Sequence, residues 1–115
     1  MLFTEPIVLN KDFLRLYRKG ASRVHPILVT YVCPNRLGRN RLGLTASKKV
    51  GCAVERNRCR RIMREAYRLL EPTLTPGWDI IFVARGRTKS CSMNQIHGVM
   101  TGHLRQLTSH PSKKS

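Results

Sequence analysis

A chain of 115 residues, 41% of them hydrophobic, can close one core and is too short for two ordinary domains. Its 22 Lys and Arg against 6 Asp and Glu leave a formal net charge of +16, a self-repulsion that a compact fold relieves by binding a polyanion. Nucleic acid fits that need; a membrane does not, because no apolar run approaches the roughly 20 residues of a span and the basic residues are not set against a continuous Trp, Phe and Leu face.

Residues 10–19 place Phe13, Leu14, Leu16 and Tyr17 at helical spacing before Gly20, which predicts a short first helix capped by Asn10. From Pro26 the β-branched and aromatic run 27–33 reads as a strand closed by Pro34-Asn35. A basic, glycine-containing loop at 35–41 leads to a second strand, 42–47, expected to return antiparallel to the first. Lys48-Lys49-Val50-Gly51 is a turn-like connector to a long helix, 53–70, that stops before Glu71-Pro72. After a loop at 72–77, Trp78-Asp79-Ile80-Ile81-Phe82-Val83-Ala84 is a buried-strand pattern ending at a basic turn, 85–89. A last helix is expected over 92–107, with Met93, Ile96, Met100, Leu104 and Leu107 inward and with Gly98 and Gly102 each weakening it by about 1 kcal/mol relative to Ala. The Ser, Lys and Pro tail 109–115 is expected to be disordered, leaving a single domain over 1–108.

The order helix, strand, strand, helix, strand, helix indicates an α+β fold, with helices covering one face of a small sheet. Cys33, Cys52, Cys59 and Cys91 form no C-x-x-C pair, and His25, His97, His103 and His110 supply no short-spaced ligand set beside them. Reduced, partly buried thiols and no zinc are expected. The opening Met-Leu-Phe-Thr-Glu-Pro lacks the features of a secretory signal, so a cytoplasmic location is expected.

The long helix carries the charge. At four-residue steps Arg56, Arg60, Arg64 and Arg68 form one stripe bordered by Arg61, while Cys59, Ile62, Met63, Ala66, Leu69 and Leu70 gather on the core side. Arg58 adds a sixth arginine, and only Glu55 and Glu65 oppose them. A solvated helix face is usually balanced by i,i+4 ion pairs; this one is not, and arginine is the side chain that meets phosphate with a bidentate fork. Asn57, between two arginines, is either a base-edge or ribose contact or simply a polar residue of the helix start.

The run Ala46-Ser47-Lys48-Lys49-Val50-Gly51-Cys52-Ala53-Val54-Glu55-Arg56-Asn57-Arg58-Cys59-Arg60-Arg61-Ile62-Met63-Arg64-Glu65 resembles the signature of the bacterial ribonuclease P protein subunit. The likeness extends to Asp12-Phe13 through Gly20, the strand with Tyr31, and Trp78-Asp79-Ile80-Ile81 through Arg85. It implies a ribosomal-protein-like two-layer sandwich with a sheet of about four strands and a left-handed crossover, the fourth strand then coming from 35–47. It implies the catalytic RNA of ribonuclease P and precursor tRNA as partners, with the chain a monomer within the ribonucleoprotein. The arginine helix would face the catalytic RNA and the nearby 5′ leader, with the turn residues Ser47, Lys48 and Lys49 joining that surface. Phe13, Tyr17 and Tyr31 match the aromatic positions of the family's leader cleft. Read from the residues alone, that trio is either a stacking platform for unpaired bases or ordinary core.

No catalytic residue is expected. Glu5, Asp12, Glu55, Glu65, Glu71 and Asp79 are scattered in sequence, unlike the clustered carboxylates of a two-metal nuclease, and the four histidines have no evident partner. The resemblance assigns hydrolysis to the RNA, the holoenzyme requiring Mg²⁺ and the protein holding no cofactor. The competing readings are a purely structural RNA-binding protein, such as a small ribosomal protein, and a DNA-binding helix. The second is weakened because the arginine stripe lacks the mixed Asn, Gln and Ser face that reads a major groove.

Overall fold

The computed structural model describes residues 4–108, so the expected tail at 109–115 lies outside the described residues. A mixed five-stranded sheet is built from β1 (Thr4–Pro6), β2 (Ala21–His25), β3 (Leu28–Pro34), β4 (Asn40–Thr45) and β5 (Trp78–Ala84), in the spatial order β1-β4-β5-β3-β2. Three helices, α1 (Asn10–Lys19), α2 (Ala53–Leu70) and α3 (Met93–Thr108), pack on it, with short 3-10 turns at Glu71–Thr73 and Thr88–Ser90. The fold is α+β, as expected, and α2 has the expected limits.

The pairing differs from the expected hairpin. β3 and β4 do not pair with each other; β5 lies between them, antiparallel to β3 and parallel to β4. β5 is the most apolar strand and is buried along almost its whole length, so it belongs in the centre with a ladder on both edges. The parallel β4 and β5 are therefore joined through α2, the crossover a parallel pair requires. The additional strands are β1 and β2, outside the 35–47 segment expected to supply one. Each is an edge strand: β1 is three residues ending in proline, and β2 is largely exposed and polar, so neither has an alternating apolar pattern to find.

Successive strand residues point to opposite faces, and both faces are covered. Leu28 and Val32 of β3, with Ile80 and Phe82 of β5, meet Cys59, Met63 and Leu70 of α2 and Ile96, Met100 and Leu104 of α3. On the reverse face Ile81 packs with Ile7 and with Leu16 of α1, so α1 is not in the layer of the other two helices. Asn10 is the first helical residue of α1 and not its cap; Leu9 holds the cap position, with no side-chain bond. Gly20 ends α1 because a Cβ there would sit 2.6 Å from the Leu16 carbonyl oxygen and 2.9 Å from that of Val32. The helix can thus turn directly into β2 against β3.

Two core positions differ from those the spacing predicts. Leu69, expected inward, is 49% exposed, whereas Tyr67 is fully buried and shares a 2.8 Å hydrogen bond with the Thr4 hydroxyl, tying β1 to α2. Burial pushes the Tyr67 phenol up to about 12. At the start of α3, the Gln95 amide donates to Ser92 Oγ and the Ser92 amide to Gln95 Oε1, a reciprocal cap.

Candidate nucleic-acid interface

Strand register sorts the α1 face of the sheet into three cross-strand rows. Arg41, Asp79 and Cys33 form the first; Gly43, Ile81, Tyr31 and Ser22 the second; Thr45, Val83, Val29 and Val24 the third. α1 lies over the first two. Arg15 reaches Asp79 in the first row, and in the second Phe13 occupies the space above Gly43, where a Cβ would come within 2.6 Å of its ring. Tyr17 meets Tyr31 edge-on with ring centroids 5.0 Å apart, and Phe13 and Tyr17 are 6.5 Å apart. The structure therefore brings Phe13, Tyr17 and Tyr31 together, with Tyr17 still 40% exposed.

The third row lies beside this aromatic wall as a floor of half-buried Thr45, Val83 and Val29 and exposed Val24. β4 and β5 run parallel and end together at that side. The turn with Lys48 and Lys49 follows β4, the turn with Arg85 and Arg87 follows β5, and all four cations are exposed. Arg85 is held against the β2–β3 connection by a bond from its Nη1 to the His25 carbonyl oxygen at 3.3 Å. The 85–89 turn is legible in the sequence as basic but has no role there; only the parallel pairing of β4 and β5 puts it beside Lys48 and Lys49. Ser47 is a builder of its turn, its hydroxyl accepting from the Lys49 amide and its carbonyl from the Val50 amide.

α2 presents the other basic surface, on the opposite face of the sheet. Four residues advance a helix by slightly more than one turn, so the stripe drifts by about 40° at each step. Arg56 and Arg60 are accordingly half-buried on the flank, and the most exposed line runs through Asn57, Arg61, Arg64 and Arg68. Arg56 Nε is sealed from solvent with no hydrogen-bond partner among the described residues. Asn57 Oδ1 accepts from Arg60 Nη1 at 2.8 Å, Arg68 pairs with Glu65 at 2.8 Å, and Arg58 on the far flank donates to the Lys89 carbonyl oxygen at 3.3 Å. Glu55 is taken up elsewhere. Its carboxylate accepts from the Cys52 amide at 3.0 Å as the α2 cap and sits 3.4 Å from Lys89 Nζ, contacts that hold it below the usual carboxylate range. Gly51 makes this cap possible, since a Cβ at its φ of +156° would fall 2.1 Å from Glu55 Oε1. Among the described residues neither Arg61 nor Arg64 meets a carboxylate, so both present uncompensated charge.

One polar cluster was not anticipated. Asp79 is fully buried, and its carboxylate accepts from Arg41 Nε at 2.8 Å and Nη2 at 2.6 Å, Arg15 Nη2 at 2.8 Å and Asn35 Nδ2 at 2.8 Å. Arg41 Nη1 also reaches Asp12 at 3.3 Å. Burial alone would raise the Asp79 pKa, but the bonds from Arg41 and Asn35 outweigh it and hold the group below its ordinary value. The members are far apart in sequence, so spacing gives no signal; the only clue was a charged residue inside the otherwise apolar run 78–84.

An aromatic wall, a largely apolar floor and two arginine- and lysine-lined margins define a small α+β protein built to hold a polyanion. A family model described as Ribonuclease P matches residues 4–108. The chain is similar to the ribonuclease P protein component of Clostridium botulinum (strain Loch Maree / Type A3), 40% identical over 98 residues that cover 84% of this chain and 88% of the relative. It is similar also to that of Herpetosiphon aurantiacus, 41% identical over 96 residues covering 84% and 78%. The solved RNase P protein of Staphylococcus aureus superposes with a TM-score of 0.77 at 36% identity, covering 87% of this chain and 92% of that one. The Thermotoga maritima protein shares the fold at 24% identity, with a TM-score of 0.76 and coverage of 85% and 93%. The chain belongs to the ribonuclease P protein component family, the protein part of the endoribonuclease that matures tRNA 5′ ends.

Proposed function

We propose that the two basic surfaces divide the RNA between them: α2 binds the catalytic RNA of ribonuclease P, and the groove between α1 and the sheet receives the single-stranded 5′ leader of precursor tRNA. The observation that carries this reading is the aromatic wall of Phe13, Tyr17 and Tyr31 beside the Thr45, Val83, Val29 and Val24 floor, at the side of the sheet where four exposed cations gather. Unpaired bases stack on aromatic faces while their phosphates track positive charge, at roughly 1–3 kcal/mol per stacked base. Three of the four floor side chains are valines, which read no base edge, and the Thr45 hydroxyl is the one polar group among them, which suits leaders of varied sequence. On α2, Arg61 and Arg64 offer forked donors to phosphates of a large folded RNA.

Hydrolysis is assigned to the RNA with its Mg²⁺. Asp12 and Asp79, the carboxylates that Arg41 draws together, are neutralised by Arg41 and Arg15, and a divalent cation does not fit a site already filled by two guanidinium groups. Each residue here binds or positions. The reading is tested by reconstituting the chain with a ribonuclease P RNA and precursor tRNA at low Mg²⁺ and following release of mature 5′ ends. Stimulation over RNA alone supports it. No stimulation would leave a purely structural RNA-binding role, the alternative raised by size and charge.

A further inference from the structure

The helical period divides the underside of α1 into two stripes. Phe13 and Tyr17 form the aromatic wall, while Asp12 and Arg15 turn toward the first cross-strand row, with fully buried Leu16 between them. Leu16 packs on Ile81 and Ile7, a small cluster that gives apolar adhesion without fixing direction. Direction comes from the polar stripe. All four acceptor sites of the Asp79 carboxylate are filled, by donors from three separate parts of the chain: Arg15 on α1, Arg41 on β4 and Asn35 in the β3–β4 loop. Arg41 extends the same network back to α1 through Asp12. Arg15 is 38% exposed but aims one Nη at Asp79 and the other at Cys33 Sγ, 3.8 Å away.

We propose that Asp79 is a positioning residue: through Arg15 and Arg41 it clamps α1 to the sheet at a fixed rotation, and so sets the planes of Phe13 and Tyr17 along the groove. The role rests on the groove being the leader site. Rotation of α1 about its axis by a fraction of a turn would carry Tyr17 off Tyr31, so the width of the groove follows from the clamp. Leucine packing at Leu16 tolerates such a rotation; a filled carboxylate with forked donors does not.

Replacing Asp79 itself removes from a fully buried position the carboxylate that Arg15 and Arg41 share and risks unfolding the chain, so the decisive variants are on α1. Arg15→Gln removes the link, Arg15→Lys restores a cation at the same place, and Arg18→Gln removes an equal charge from the exposed side of the same helix. Amide hydrogen exchange is read on the full chain, and the ratio of affinities for leader-bearing and leaderless tRNA on the reconstituted holoenzyme. For Arg15→Gln the α1 amides should exchange about tenfold faster with β5 and α3 unchanged, and the leader preference should fall by about three- to tenfold, with Arg15→Lys recovering most of both. Arg18→Gln should leave the preference intact. Loss of preference without faster α1 exchange, or identical behaviour of Arg15→Gln and Arg18→Gln, would overturn the clamp. Tyr31→Ala in the same assay separates the two claims. If it abolishes the preference while a loosened Arg15→Gln keeps it, the clamp alone fails; if it too leaves the preference unchanged, the groove is not the leader site and the clamp role falls with it.

Discussion

The ring of Tyr17 on α1 stands edge-on to the ring of Tyr31 on β3, their centroids 5.0 Å apart and their planes at 73°. This contact joins α1 to β3, the strand that carries Tyr31 in the wall and Val29 in the floor of the groove. An edge-to-face pair is favourable by about 0.5–1.5 kcal/mol beyond its buried area and leaves one ring with a face turned away from its partner. The two tyrosines therefore pack α1 on the sheet and line the groove together.

On α2, exposure ranks the arginines. Arg61→Ala and Arg64→Ala should each lower the salt dependence of catalytic-RNA binding by one phosphate contact, about 0.7–0.9 in the log–log slope. Arg68→Ala should lower it less, because Glu65 already compensates that charge. Binding titrations over a range of KCl concentrations measure this, and three equal slopes unchanged from the parent would refute phosphate contact by this face.

Glycines separate by what a methyl group would meet. Gly98 and Gly102 face open space on α3, so alanine there should raise stability by about 0.5–1 kcal/mol each. Gly51→Ala should lower it by about 1–2 kcal/mol, since the new Cβ displaces the Glu55 carboxylate that caps α2. Urea denaturation of the three variants gives the comparison directly.

Gly43 supports the aromatic wall from below. Alanine at this position puts Cβ against the Phe13 ring and 3.3 Å from Ile81 Cγ1, so Phe13 must lift. A loss of about 1–3 kcal/mol in stability is expected, as for other overpacked sites, together with weaker leader discrimination. Unaltered discrimination in a folded Gly43→Ala protein would show that the seating of Phe13 does not matter to the groove.

His103 supplies a pH dependence. Its Nδ1 is 2.8 Å from the hydroxyl of fully buried Thr30, its ring stands 6.3 Å from that of His25, and burial, then His25 and Arg23, lower its pKa below the ordinary 6.5. The unfolded chain thus binds the proton more readily than the folded one. Stability contributed by the neutral ring is full above about pH 6.5 and is lost as the pH falls from there toward the folded value. Unfolding midpoints at pH 7.5, 6.5 and 5.5 should fall more steeply for the parent than for His103→Gln; parallel curves would mean that His103 does not titrate with folding.

The long helix and the central strand were legible because their signals are local: eighteen residues of 3.6 periodicity in α2 and an unbroken apolar run in β5. The arginine surface was legible for the same reason, although its drift around the helix needed the core contacts to fix which residues face outward. Sheet order was not, because the insertion of β5 between β3 and β4 is decided by burial on both edges, which a reading in chain order replaces with the nearest hairpin. The edge strands carry no alternation. The Asp79 cluster gathers residues 12, 15, 35, 41 and 79, whose proximity exists only in the folded sheet.

The central claim is that the groove of Phe13, Tyr17 and Tyr31 holds the unpaired 5′ leader. Equilibrium affinities of holoenzymes reconstituted with the parent chain and with Tyr31→Ala, each measured for precursor tRNA with its leader and for mature tRNA, test it most directly. Loss of one stacked base corresponds to about 1–3 kcal/mol, so leader-bearing tRNA should bind about 5- to 150-fold more weakly while mature tRNA is unaffected. Equal losses for the two ligands would contradict the account and make the aromatic trio part of the core alone.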